Sequence, residues 1–534
     1  MNKNILFIVL STLLVYGASV FSEEILWDSL CIKNAVEGQH PELVTEMFRQ
    51  AAQPFLGMIH ALMLKLPHYL FFYKLIVWFS ILGAAIVIYK ILVKLDLFSP
   101  ASSAMTAVIT MIWPVYSIRF ELIMMPAALC YFSFFVGVLS FQKFIEYREK
   151  RKWYYVSIPF FLLSYLIDSL IVFHYGVLFG FFLFYYVRSG VSVKKNLLDF
   201  IRENILLLVL PALYFITVSL VFKKYGEYSA YNILQPGNFF RPDHLLNNAF
   251  VGVKALIFDQ LLVFKYMLTS EAGTFNYLIP VSFALAFAIP FFMNFKSDPG
   301  ARTRIILLLF FIALLFMFAI YPYAMIGYIQ VAKGYKTRFA LLASLPIALG
   351  IVALINHFLK KAWMQYFCFA AVLFFCISLN LRNQLLWQNR YIKYLAIIEV
   401  LKKDPGVIKG NTVLLEDNTG IGMKVGYTIY DINWILKQVY GDESHFGMAF
   451  YEKRRYHEYM GNVAKYEYFS RFNIMKEYVE NDSISTLKIY RSFDIPETRI
   501  LLDFIGSSGS EKKNFLSGLV RIEVINQPIK ELIQ

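Results

Sequence analysis

Three carboxylates, Glu23, Glu24 and Asp28, follow directly behind the first apolar run of a 534-residue chain, in Phe21-Ser22-Glu23-Glu24-Ile25-Leu26-Trp27-Asp28. A carboxylate at a bilayer surface needs water, a cation or a proton to be there at all. If the stretch is helical, Glu24 and Asp28 are four residues apart and share a face. Two acids on one face repel, so one carries a proton or both hold a cation, and either state suits a general base for a hydroxyl or amine. The plain alternative is a solvated juxtamembrane turn.

Groups that could face these acids come from distant segments. Arg119 and Glu121 lie in Tyr116-Ser117-Ile118-Arg119-Phe120-Glu121. An arginine there can fork onto a lipid phosphate, or simply pair with its neighbour Glu121. Asp168 stands in a short turn, with His174 about two helical turns deeper. Asp168 serves either a substrate or the start of the next helix, and a lone buried histidine is commonly a satisfied core residue. Lys333-Gly334-Tyr335-Lys336-Thr337-Arg338-Phe339 opens a late apolar run. Its Lys336 and Arg338 could hold an anionic leaving group beside Tyr335, or anchor to phospholipid headgroups. Arg241 in Arg241-Pro242-Asp243-His244 is an acceptor-side group or part of a helix entry capped by Asp243. Glu416-Asp417-Asn418 closes a strand-like run and would bind sugar or calcium, or form a turn.

The elements that must position these residues are mostly apolar. The chain is 58% hydrophobic and only 16% charged, with a mean hydropathy of +0.55, which places it among integral membrane proteins. Apolar runs near 5–21, 70–92, 103–118, 122–141, 153–167, 170–186, 204–222, 277–295, 305–323, 339–356 and 363–381 predict about eleven transmembrane helices. Lys143 with Arg148, Lys150, Arg151 and Lys152, then Arg188 with Lys194 and Lys195, then Lys296 with Arg302 and Arg304, then Lys360 and Lys361 fall on one side of successive runs. The excess of lysine and arginine makes that side cytoplasmic, with Lys3 and the N-terminus. The other side receives 22–69, the turn at Arg119, the loops 223–276 and 324–338, and everything after 382. The first run is long for a signal peptide and reads as an uncleaved anchor, although Ala18-Ser19-Val20 resembles a cleavage site.

The net charge of +14 is thus accounted for by topology and does not point to nucleic acid. Of the four cysteines, Cys130, Cys368 and Cys376 fall inside apolar runs, which leaves no disulfide framework with Cys31. The sequence has no Walker loop, dinucleotide fingerprint, zinc motif or nucleophile elbow.

The outer segments carry structure of their own. Pro54 opens an apolar stretch to Leu64, suited to a helix on the membrane surface. In the second loop 235–238 is a turn signal and 245–268 an amphipathic helix. Residues 383–534 turn polar, with strand-like runs at 412–415, 486–490 and 519–525 and helical stretches at 391–403 and 430–440. The expected fold is a polytopic α-helical membrane domain, 1–382, and a small extracytoplasmic α/β domain, 383–534.

The run Trp27-Asp28-Ser29-Leu30-Cys31-Ile32-Lys33-Asn34-Ala35-Val36-Glu37-Gly38-Gln39-His40-Pro41 resembles the first outer loop of GT-C fold membrane glycosyltransferases, the polyprenyl-phosphate-sugar-dependent enzymes. Asp28 takes the place of that family's first acidic residue, and Gln53-Pro54-Phe55-Leu56 that of its later proline stretch. Arg338-Phe339 followed by Pro346 is similar to the arginine-aromatic pattern that opens a late helix. Ser29 departs from the pattern, standing where a second acid is expected, so Glu23 or Glu24 would have to substitute. The resemblance covers the layout of residues 1–382.

It implies inverting transfer of a sugar from a polyprenyl-phosphate donor to an extracytoplasmic glycan, lipid or protein, in a bacterial inner or plasma membrane. Asp28 would be the base with Glu24 assisting. Arg119, Lys336 and Arg338 would hold the donor phosphate. Glu121, Asp168, His174, Tyr335 and Arg241 would line the substrate site, and a divalent cation stays open as a cofactor. Two other classes remain: a transporter or flippase for a lipid-linked or anionic substrate, and a non-enzymatic membrane protein with an outer binding domain. The first of these predicts paired charges within spans and internal symmetry, and few such charges are visible.

Overall fold

Each of the eleven apolar runs coincides with a helix in the computed structural model, which describes residues 2–37, 40–147, 151–186, 193–229, 241–293, 305–332, 334–442, 444–465 and 483–528. The helices are α1 (Lys3–Phe21), α2 (Asp28–Glu37), α3 (Glu42–Gln50), α4 (Pro54–Met63), α5 (Tyr69–Leu95), α6 (Pro100–Ile112), α7 (Met125–Glu146), α8 (Lys152–Ser164) and α9 (Asp168–Phe181). They continue with α10 (Val193–Val221), α11 (Pro242–Val253), α12 (Asp259–Thr269), α13 (Leu278–Ala288), α14 (Ile305–Met325), α15 (Ser344–Phe358), α16 (Ala362–Leu401) and α17 (Ile429–Tyr440). Among the described residues 7 helices are long and apolar enough to cross a membrane: α1, α5, α7 with its preceding turn, α9 with its continuation, α10, α14 and α16. The runs at 103–118, 153–167, 277–295 and 339–356 form the shorter helices α6, α8, α13 and α15. The turn at 235–238 and the basic residues Arg148, Lys150, Arg188, Lys296, Arg302 and Arg304 lie outside the described residues.

Helix α6 sits at the centre, buried along its length and packed by α1, α5, α15 and α16. Its start is set locally: Pro100 occupies the first turn, and Ser99 Oγ accepts the Ser102 N–H. Its other end stops inside the helix bundle, where the last carbonyls need donors. Tyr16 Oη donates to Met111 O and Asn380 Nδ2 to Ile112 O, and Arg119 supplies the rest.

The 22–69 loop folds into α2, α3 and α4, with Pro54 in the first turn of α4 as its sequence suggests. The amphipathic 245–268 stretch is α11 and α12, joined by a π-helical turn at Lys254–Phe258.

Helix α16 is 40 residues long, about 60 Å, roughly twice the hydrocarbon thickness of a bilayer. It therefore joins what the sequence shows as a span at 363–381 and a separate helix at 391–403. The composition shift near residue 382 falls within one unbroken helix. Beyond that point α16 packs against α17 and the helices Glu497–Gly506 and Gly509–Leu519.

The C-terminal region is built on a four-stranded sheet, ordered Phe446–Ala449, Thr412–Asp417, Ser483–Arg491, Val520–Pro528. The first three strands run parallel and the last antiparallel. Residues 412–415 are buried on both faces, which is why they read as a continuous apolar run. The strand Phe446–Ala449 escapes sequence reading because it is short and contains Gly447. That glycine is required, since a Cβ there would lie 2.3 Å from Ile432 of α17.

Buried charges tie this sheet to α16. Asp417 pairs with Lys393 and accepts from Thr419 Oγ1 and Tyr427 Oη. Glu416 and Asp417 are thus the last residues of the strand, not the expected turn, and Asn418 N–H still donates to Ile489 O of the neighbouring strand. Burial raises the Asp417 carboxyl, but Lys393 and Thr419 overcome it and hold it down at about 2. A carboxylate depressed in the folded state stabilises above its unfolded pKa and ceases to as pH falls through the folded one. Asp417→Asn should thus cost about 2 kcal/mol at neutral pH, with the gap to wild type closing below about pH 3. Thermal unfolding of the full-length protein across pH measures this.

Candidate functional site

The acidic stretch is not helical. Residues 22–26 form no regular element, Trp27 turns, and α2 begins at Asp28. The expectation that Glu24 and Asp28 share a helical face is therefore wrong. The reason is long-range: side chains from three other elements hold the backbone groups that a helix would use. Lys74 Nζ of α5 donates to Ser22 O (2.6 Å), Ser22 Oγ (2.8 Å) and Glu24 O (3.0 Å). Leu26 N–H donates to Glu121 Oε2 at 3.1 Å, and Trp27 N–H to Asp431 Oδ1 of α17 at 3.0 Å. Trp27 itself has φ of 50°, a left-handed conformation that is costly for a bulky residue and persists only where the surroundings enforce it. Its ring is wedged edge-on against Trp387 at 4.5 Å.

This clamp delivers Asp28 to Arg338. Arg338 Nη1 lies 3.7 Å from Asp28 Oδ2, with side-chain exposures of 18% and 32%, so both remain reachable from outside. Arg338 sits on the 3-10 turn Tyr335–Ala340. That turn is fixed by Thr337, which contacts Ser117 Oγ at 3.2 Å, and by Phe339, which stacks on Tyr328 at 4.7 Å. Lys336 on the same turn is exposed and lies 5.6 Å from the Tyr328 ring centre. The Tyr335 side chain is outside what the structure describes.

The remaining acids separate. Glu23 is exposed, whereas Glu24 is buried, and among the described residues its Oε2 has no hydrogen-bond partner. Burial raises the Glu24 carboxyl against the pull of Lys74 and Ser22. Burial likewise pushes Glu121 up to about 8, against Ser29, the Leu26 N–H and Lys74. A carboxyl raised on folding binds a proton that the unfolded chain has lost, so it weakens the folded state as pH climbs from the ordinary carboxylate value toward 8. Glu121→Gln keeps an oxygen for Leu26 and removes that penalty. Between about pH 5 and 8 it should lose less stability than wild type, which pH-dependent thermal unfolding reads directly.

Arg119 does not meet Asp28. It is 4% exposed and caps the end of α6: Nε donates to Tyr116 O, Nη2 to Trp113 O and Nη1 to Met111 O. Cationic caps suit a helix C-terminus. The expectation that Arg119 pairs with Glu121 or a phosphate finds its guanidinium spent on these carbonyls. His174 is buried with both nitrogens engaged, Nδ1 with Tyr165 Oη and Nε2 with Leu207 O, each at 3.1 Å. It is the satisfied core histidine. Asp168 is exposed at the start of α9 and interacts with Lys224. Arg241 is on the surface, 2.9 Å from Asp243.

Three residues were missed by sequence reasoning: Lys74, Asp431 and Arg390. Lys74, 1% exposed, had a signal, being the only charge between Tyr69 and Tyr89 in an apolar run. Asp431 had a local signal as a helix cap, Thr428-Ile429-Tyr430-Asp431, but nothing near it in sequence points to Trp27, and Arg390 had none beyond its polarity. For a divalent cation the donor set is unsuitable. Asp28 faces Arg338, Glu24 faces Lys74, and Ser29 Oγ is directed at Ile123 N–H and Glu121. Among the described residues no cluster of three or more His, Cys, Asp or Glu could hold a metal.

The chain matches no family model, and comparison with curated proteins and with solved structures gave no match.

Proposed function

We propose that this integral membrane protein is a glycosyltransferase that moves a sugar from a polyprenyl-phosphate donor to an extracytoplasmic glycan, lipid or protein, with Asp28 as general base. The observation that carries the reading is the Asp28–Arg338 pair: a carboxylate enforced by a strained, clamped backbone and met, half-buried, by an arginine 310 residues away, on a turn that also bears the exposed Lys336. A carboxylate and cations so placed suit transfer from a phosphorylated donor. The acceptor oxygen bonds to the anomeric carbon as the bond from that carbon to the phosphate oxygen breaks. Asp28 takes the acceptor proton, and Arg338 and Lys336 balance the charge left on the carrier phosphate. Backside attack inverts the anomeric centre. In this reading the eleven helices all belong to the membrane domain, the N-terminus is cytoplasmic and the sheet domain is outside. In this reading neither Glu24 nor Arg119 takes part in the chemistry: Glu24 is buried beside Lys74, and the Arg119 guanidinium is spent on the carbonyls at the end of α6. The test is sugar release from polyprenyl-phosphate donors by the full-length protein, wild type against Asp28→Asn. Equal activity in the two would remove the assignment.

A further inference from the structure

The sheet domain meets the segment that carries the candidate base at Trp27 and along α2. Asp431 is fully buried in the first turn of α17, and its two oxygens are divided. Oδ2 accepts from Thr428 N–H (2.8 Å), Thr428 Oγ1 (3.2 Å) and Arg390 Nη2 (3.3 Å). Oδ1 accepts from Trp27 N–H. Arg390 is itself 1% exposed. It donates to Val425 O, Gly426 O and Tyr394 Oη, and lies 5.7 Å from the Trp27 ring centre. A helix cap needs only Oδ2, so the second oxygen serves something besides the cap. What it fixes is the Leu26–Trp27 peptide, the unit about which the left-handed turn swings Asp28 into place. Lys33 of α2 adds a second tie, 4.7 Å from the Trp434 ring centre of α17.

We propose that the C-terminal domain completes the site: Asp431, oriented by Arg390, is a positioning residue that holds Trp27 in its strained turn and so keeps Asp28 against Arg338. The proposal rests on the reading of Asp28 as the working carboxylate, but its test does not require sugar transfer.

The experiment is carboxyl labelling of the full-length protein in detergent, with a water-soluble carbodiimide and glycine ethyl ester, read at Asp28 by peptide mass spectrometry. Asp494, whose side chain is fully exposed, is the internal reference. Asp431→Asn is isosteric. Three donors converge on Oδ2, so the amide oxygen turns to them and its NH2 confronts the Trp27 N–H. The helix cap survives and the hold on Trp27 is lost. Thr428→Ala is the converse: it weakens the cap and leaves the Trp27 bond. Asp28 labelling should rise about threefold in Asp431→Asn, as a shielding ion pair is loosened, and stay at the wild-type level in Thr428→Ala. No rise in Asp431→Asn, or an equal rise in both variants, overturns the proposal. The two readings fail separately. Flat labelling with transfer lost in Asp28→Asn removes the positioning role alone, and a labelling response with transfer retained removes the base assignment alone.

Discussion

Asp28→Asn is expected to lower kcat for sugar transfer by about 10²- to 10⁴-fold, the usual range for removing a general base. The substitution is isosteric, and the two residues before it, Leu26 and Trp27, are held through their N–H groups by Glu121 and Asp431, so the fold is kept. The informative quantity is the donor KM. Arg338 is shared between Asp28 and any phosphate that enters, and asparagine releases it. The KM for donor should therefore hold or fall while kcat collapses, the pattern of an interaction made in the transition state. A carboxylate that merely pinned Arg338 would behave in the opposite way: KM would change and kcat would stay within about threefold of wild type.

The second large effect is on stability. Lys74→Met should cost about 3–5 kcal/mol, since it leaves several buried acceptors without a donor at about 1–3 kcal/mol each. Lys74 is almost completely buried and is the donor to three oxygens of Ser22 and Glu24. Methionine matches its length but leaves those oxygens without a donor and the Glu24 carboxylate without its cation. Because the loss comes partly from that carboxylate, Lys74→Met combined with Glu24→Gln should recover some of it, a non-additivity expected of groups in contact. Thermal unfolding in detergent, run as a double-mutant cycle, measures both. A single mutant within about 0.5 kcal/mol of wild type, the range of an ordinary surface change, would mean that the cluster is solvated and the clamp weak.

Features encoded by local pattern were legible in the sequence. Apolar runs of membrane length, Pro54 in the first turn of α4, the helix at 430–440 and the strands at 412–415, 486–490 and 519–525 all follow from periodicity and turn chemistry. The strand Phe446–Ala449 did not, because four residues with a glycine carry no alternation. The unbroken α16 did not either, since a helix that leaves the bilayer changes composition without changing conformation. In the site, Asp28 and Arg338 could be singled out as residues, and the structure brings them together. Glu24 was misjudged for a physical reason: whether 22–27 forms a helix is decided by acceptors and donors on Lys74, Glu121 and Asp431, between 50 and 404 residues away. Arg119 was misjudged for a related one, because the need it meets, the buried end of α6, exists only once the helices are assembled.

The most direct measurement is transfer by purified full-length protein in lipid, using a panel of polyprenyl-phosphate sugars labelled in the sugar. The account predicts that one donor gives labelled product with inverted anomeric configuration, that one carrier phosphate is freed per sugar moved, and that Asp28→Asn stays at background. Equal transfer by wild type and Asp28→Asn, or no transfer from any donor, would contradict it.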